Sequence, residues 1–264
     1  MKIPNWLIVE EYSEYEKTGK EYLRSHDFSL FCYCPELYND KQLGRLTDQD
    51  RPDLALGRAG HTLILEGAKK FQKLYHVGGE INTKTGKPFS HGTKKQNAYI
   101  EENGIEKPLI FPSEAKIMGK CRVSVLTHEK IKEFLSTGIA ETTVRTEYKG
   151  VKLQVRIDWF NGVYLLDLKT TKDLDKFKFD ARKYNYEMQA FYYHKTVLIA
   201  TGLYYPICVF AVEKKHPFRS GYWLISDDRY ESLEIEFDQQ IDKLKECRAR
   251  NIWPTGFEEA RYFD

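Results

Sequence analysis

The alternation of apolar and polar positions is clearest in the middle of the chain. Glu141 to Tyr148 (ETTVRTEY) and Lys152 to Phe160 (KLQVRIDWF) each repeat with a period close to two. Val163 to Leu168 is a short apolar-rich run that continues into Lys169 and Thr170. That period belongs to half-buried strands. Lys149-Gly150 and Asn161-Gly162 separate the three runs, and the second is a strong signal for a two-residue hairpin. The expected centre is a three-stranded meander over 141–148, 151–160 and 163–170. Pro206 to Val212 (PICVFAV) has no polar member and reads as a strand buried on both faces, and Gly221 to Ser226 (GYWLIS) as a further strand.

Around these strands the spacing turns helical. After Gly57, the residues Leu63, Ile64, Leu65 and Phe71 fit an amphipathic helix with His61 in its first turns. Residues 112–135 read as two helical pieces or one long one, closing near Gly138. Asp173 to Leu198 is charged, then aromatic, with Tyr184, Tyr186, Phe191, Tyr192 and Tyr193 on a helix that would lie on the sheet. Asp227 to Arg250 is a long polar helix, followed by Trp253-Pro254. At the other end, residues 1–28 suggest a short leader and a polar helix, and Ser29 to Tyr38 an aromatic knot against the core, interrupted at Pro35. No repeat or linker divides the chain. The expectation is one α/β (α+β) domain over 1–264, with a helical extension at 1–50 and a core at 54–254.

Composition narrows the class. With 264 residues, 30% charged and 41% hydrophobic, the chain has ample material for a core and reads as soluble and globular. The net charge of +2 neither supports nor excludes a nucleic-acid partner, because acidic metal ligands can cancel a basic surface. Five cysteines without a C-x-x-C pair argue against a disulfide framework or structural zinc and fit a reducing cytoplasm. Cys32 and Cys34 lack the companions an iron–sulfur cluster needs. The N-terminus resembles no secretion signal, and no apolar run reaches the length of a membrane span.

The chemistry gathers on the meander. Asp167 and Lys169 stand two apart on one face of their strand, and the hairpin would lay Asp158 beside Asp167. Two carboxylates at close range call for a cation, and a hard divalent ion suits their oxygens. Lys169 would stand beside it, equipment for metal-assisted phosphodiester hydrolysis. His61 is the better further ligand. Glu66, five positions on, sits about 140° around an α-helix from it, so both cannot point at one ion. Glu66 then serves packing or an outer shell. Gln189 and Tyr193, four apart, share a helix face that would look onto the site. Residues 82–99, with Lys84, Lys87, Lys94 and Lys95, read equally as a solvated loop or as a phosphate-contacting one.

The segments GRAGHTLILEG (57–67), RIDW (156–159), LLDLKTTKD (165–173), YNYEMQAFYY (184–193) and the last helix up to Cys247 and Trp253-Pro254 together resemble the PD-(D/E)XK nuclease superfamily. They are most similar to its RecE-type exonucleases, the exodeoxyribonuclease VIII-like enzymes of phage recombination. Ile157 and Gly67 depart from that pattern, where relatives carry proline, and the first 50 residues match only loosely. The resemblance implies a restriction-endonuclease-like core with a central mixed sheet flanked by helices. It implies that Asp158, Asp167, His61 and the Leu168 carbonyl bind Mg²⁺ or Mn²⁺, and that Lys169 activates the nucleophilic water. Gln189, Tyr193 and Arg156 would serve the substrate. It further implies 5′→3′ digestion of linear double-stranded DNA ends, a 3′ single-stranded tail passed to a RecT-type annealing recombinase, and a homo-oligomeric ring. Alternatives are a related single-strand nuclease or endonuclease, or a non-catalytic DNA-end-binding protein.

Overall fold

The computed structural model describes residues 3–46 and 52–260, and its centre is a mixed sheet whose strands come from both ends of the chain. The N-terminal segment enters this sheet twice, through β1 (Ile8–Val9) and β2 (Leu23–Arg24), with α1 (Tyr12–Thr18) between them. α2 (Ser25–Tyr33) and α3 (Pro35–Gln42) follow, parted where Pro35 takes the first position of a new helix. The helical extension expected over 1–50 carries these three helices and also adds β1 and β2 to the sheet. Its boundary with the core falls partly on 47–51, outside the described residues.

α4 (Pro52–His61) runs into a π-turn over Thr62–Glu66, and α5 (Ala68–Leu74) begins after Gly67. Gly57 therefore lies inside a helix and His61 at its end, where the sequence pattern suggests a helix starting near Gly57. The reason is packing. Thr62, Leu63, Ile64 and Leu65 are all buried, more consecutive residues than one face of a 3.6-residue helix can hide. The wider turn serves two clusters, Leu63 packing with Ala59 and Phe71, and Ile64 and Leu65 with the sheet.

β3 (His76–Val77) pairs in parallel with β6 (Leu109–Ile110), and β4 (Ile81–Asn82) pairs with β5 (Lys87–Pro88). α6 (Lys94–Glu102) follows, its N-terminus capped by the Thr93 hydroxyl, which accepts from the Gln96 N–H. The basic stretch at 82–99 is therefore a hairpin and a helix rather than a loop. α7 (Pro112–Thr127) and α8 (Glu129–Leu135) are two pieces broken at His128.

The meander appears as β7 (Ile139–Tyr148), β8 (Val151–Phe160) and β9 (Leu165–Thr171). Lys149 and Gly150 both take positive φ, 49° and 80°, the turn whose twist matches its strands. The second turn is longer than two residues. Asn161 Oδ1 accepts from the N–H groups of Val163 and Tyr164, which closes a four-residue loop. α9 (Phe177–Lys183) and α10 (Tyr186–Thr201) then carry the chain across to β10 (Ile207–Glu213), which runs parallel to β9. β11 (Ser220–Leu224) is antiparallel on its far side, and α11 (Asp227–Arg250) closes the fold. The order is β1-β7-β8-β9-β10-β11, with β2 pairing β8 in parallel.

Helices cover both faces. α2, α10 and α11 lie on one, where Phe28, Tyr192, Phe191 and Phe237 form a buried aromatic cluster beneath which Leu153, Val155 and Val209 point. Each such ring contributes about 1.5–3 kcal/mol through burial alone. The π-turn, α7 and α8 cover the other face, over Leu166, Leu168, Cys208, Phe210 and Val212. β10 is buried along its whole length because it alternates between the two cores. Among the described residues no helix is long and apolar enough to cross a membrane.

Candidate active site

β8 and β9 pair only at Trp159 with Leu166 and at Phe160 with Leu165, and then part. That register would set Asp158 opposite Asp167. Instead of a backbone ladder, the Asp158 carboxylate fills the gap, Oδ2 accepting from the Leu168 N–H at 2.7 Å. N–H and C=O of one strand residue point the same way, so the Leu168 carbonyl also faces this opening.

The strand alternation breaks at the same place. Leu153, Val155 and Ile157 face the α10 side, but so does Phe160, while Trp159 packs on the opposite core. On β7, Glu141 is the residue opposite Asp158 and has φ of 54°, in the left-handed region that a glutamate occupies only under constraint. The rung Glu141–Asp158 is unpaired between Ala140↔Trp159 and Thr142↔Ile157. Both carboxylates are thereby turned out of the regular pleat.

His61, at the junction of α4 and the π-turn, meets this rung. Its Nδ1 lies 3.4 Å from Asp158 Oδ2. One ligand atom each from His61, Glu141 and Asp158 lie within 4.8 Å of one another. Asp167 stands beside this group and is tied to Lys169, whose Nζ donates to Oδ1 at 2.8 Å and lies 5.0 Å above the Tyr186 ring. Asp158 and Asp167 are 8% and 3% exposed, so their charges are hardly relieved by water.

The titration behaviour follows from this crowding. Burial and then the Asp158 charge raise the Glu141 carboxyl, although His61 and Arg156 work the other way. Burial also raises Asp167, and the repulsion of Asp158 adds to it against the pull of Lys169. Asp158 is held low: burial opposes ionisation, but His61, Lys169 and the Leu168 N–H outweigh it. Burial disfavours the imidazolium of His61, yet Asp158 and Glu141 push its pKa up to about 9. Lys169 is likewise raised against its burial by Asp167 and Asp158.

Two carboxylates and an imidazole on one spot, with Asp167 adjoining, form a donor set for a hard divalent cation, and repulsion among the carboxylates is what such an ion relieves. The residues present fit one. Glu66 is outside the donor group and lies 3.9 Å from Lys70. Arg156, expected at the substrate, is engaged with Glu141 of this group. Its Nε donates to Glu141 Oε2 at 2.7 Å and Nη1 to the Glu10 carbonyl. Tyr193 is buried on α10 with its hydroxyl at the Ser25 side chain, its pKa raised by burial first and then by Asp167 and Asp158. Gln189 is half-buried one turn earlier on the same helix.

The family model described as "PDDEXK-like domain of unknown function (DUF3799)" matches residues 24–264. The chain belongs to this PDDEXK-like family. The crystal structure of a protein from Eubacterium rectale that carries the name "Putative exonuclease" superposes with a TM-score of 0.67 at 14% identity, over 97% of this chain and 96% of that one. At that identity the likeness concerns the fold. No curated protein matches the chain.

Within this PDDEXK-like fold Asp158, Asp167 and Lys169 stand at the strand gap. Two neighbours escape a reading of motifs, Glu141 and Tyr186. Glu141 was within reach of counting. Seven residues back along each strand from the Tyr148↔Val151 turn lie Glu141 and Asp158. Tyr186 carries no such signal, because only the packing of α10 places its ring under Lys169.

Proposed function

We propose that the protein is a metal-dependent 5′→3′ exonuclease on double-stranded DNA ends, of RecE type, leaving 3′ single-stranded tails. The observation that carries the reading is the convergence of Lys169 and Asp167 beside the His61–Glu141–Asp158 group. His61, Glu141 and Asp158 would hold Mg²⁺ or Mn²⁺, with Asp167 and the Leu168 carbonyl adjoining. When bound, the ion supplies charge neutralisation at the phosphate and acidifies a water whose bulk pKa is about 15.7.

The chain's own groups do the rest. Lys169, held by Asp167 and the Tyr186 face, directs an N–H toward the position of the attacking water. Asp167 sets the lysine's direction, and Arg156 holds Glu141 in its constrained conformation. Gln189, half-buried on α10, would hydrogen-bond the substrate strand, and Tyr193, buried with its hydroxyl at Ser25, backs the α10 wall from within. The direction of digestion, a ring of identical subunits around the duplex, and delivery of the tail to a RecT-type single-strand annealing partner in a bacterial or phage-infected cytoplasm rest on the sequence resemblance. The name of the Eubacterium rectale protein agrees with an exonuclease.

The test uses duplex DNA labelled at one end, with and without a 5′ phosphate, in Mg²⁺ and in EDTA, beside covalently closed circles. Metal-dependent loss of the 5′ label from linear duplex, with circles intact, is expected. Digestion of closed circles would turn the reading to an endonuclease, and end binding without cleavage to a non-catalytic protein.

A further inference from the structure

A cavity of about 500 Å³ opens on the side of the sheet opposite Tyr186. Its walls continue the catalytic elements. Gly57 and Gly60 lie on α4, within the last turns before His61, and Thr170 and Lys172 directly follow Lys169 on and beyond β9. Lys214 and Lys215 rise from the end of the parallel neighbour β10, and Ile117 and Met118 of α7 form an apolar floor. The cavity thus stands outside the carboxyl ends of two adjacent parallel strands, where open α/β sheets take their ligands. Its volume lies in the usual range for such sites, roughly 300–1,000 Å³.

Two features point to a phosphate-bearing ligand. The first is unbalanced positive charge. Lys215 lies 3.8 Å from Asp173, but among the described residues Lys172 and Lys214 meet no carboxylate at ion-pair distance. The acid on the cavity wall, Glu114, is already engaged: Oε2 accepts from the Phe111 N–H at 2.8 Å, and His91 Nε2 lies 3.4 Å away. The second is Gly57. A glycine inside a helix costs about 1 kcal/mol relative to alanine. Its φ is not in the left-handed region, and a Cβ there would meet no atom of the described residues within 4 Å. Neither backbone strain nor packing among the described residues calls for glycine, and a side chain would take up cavity space.

We propose that this cavity receives one nucleotide of the substrate strand next to the cleaved bond, with its phosphate on Lys172 and Lys214 and its sugar or base on the Ile117–Met118 wall. The inference rests on the nuclease reading above and adds a second anchor to it. The strand then lies across the carboxyl edge of β9, held on both sides of Lys169. Gly57 allows the strand to approach the α4 backbone just before His61.

The experiment measures kcat and KM for Mg²⁺-dependent digestion of linear DNA across a KCl series. Lys172→Gln combined with Lys214→Gln should raise KM about tenfold or more at 0.1 M salt. It should flatten the salt dependence of kcat/KM by about 0.7–0.9 in log–log slope, one phosphate's worth. Gly57→Leu, which plugs the cavity without altering charge, should raise KM and leave the slope as in the parent. In both, kcat stays within about twofold. Folded variants with parental KM and slope, or a fall in kcat alone, overturn the subsite and leave the nuclease reading standing. A parent protein that digests no DNA overturns the proposed function, and the subsite with it.

Discussion

Replacing Glu141 by glutamine separates metal binding from architecture without an activity assay. The substitution keeps the side-chain volume and removes one negative charge from the His61–Glu141–Asp158 group. Without a cation two effects oppose each other. Arg156 loses a charge-assisted bond of 2.7 Å, of order 1.5–3 kcal/mol, while the repulsion between Glu141 and the buried Asp158 is relieved. With a cation the effect has one direction. An ion at about 100 times its Kd stabilises the folded protein by about 2.7 kcal/mol. If losing one carboxylate weakens binding on the order of 100-fold, about 0.4 kcal/mol remains at the same concentration. For a domain of this size 1 kcal/mol moves Tm by about 2–4 °C, so the cation-induced rise should shrink by about 5–9 °C. Differential scanning calorimetry in EDTA and in Mn²⁺, for parent and Glu141→Gln, reads this difference and cancels the cation-free term. An equal Mn²⁺-induced rise in both proteins would refute a ligand role for Glu141 and the donor set built on it.

Other expectations follow from the same contacts. Lys169→Met should reduce Mg²⁺-dependent DNA digestion by at least about 10²-fold with an unchanged far-UV circular dichroism spectrum, and parental digestion would remove Lys169 from the mechanism. His61, pushed up to about 9 by Asp158 and Glu141 against its burial, has a folded pKa above its unfolded one. Its stabilisation, at most about 3 kcal/mol, is therefore complete below pH about 6.5 and lost as pH rises through about 9. Urea titrations in EDTA should show that decline in the parent and a flatter profile in His61→Gln. Gly138→Ala should lower the urea midpoint by an amount equal to about 3 kcal/mol or more. Gly138 has φ of 147°, and an added Cβ would fall 2.3 Å from Trp159 Nε1 and 2.6 Å from the Phe160 carbonyl. A midpoint within the error of the parent would show that this end of β7 yields.

The sequence by itself determined the parts whose signal is local. The period of two marks β7, β8 and β9, and the unbroken apolar run of Ile207 to Val212 marks a strand buried on both faces. The polar helix Asp227–Arg250 is bounded as its pattern predicts. Asp167 and Lys169 were legible because a strand's pleat fixes which neighbours share a face, and Asp158 because the hairpin returns the chain toward it. Only the tertiary structure decided what depends on distant segments or on departures from regular geometry. β1 and β2 are two residues each, too short to carry a period, and they exist because β7 and β8 offer them open edges. The π-turn after His61 arises because two separate cores claim consecutive side chains. The unpaired rung that turns Glu141 and Asp158 toward His61 contradicts the alternation on either side of it, and so does the parting of β8 from β9. The carboxylates converge where the sheet breaks its own rule, and long-range packing holds that break in place.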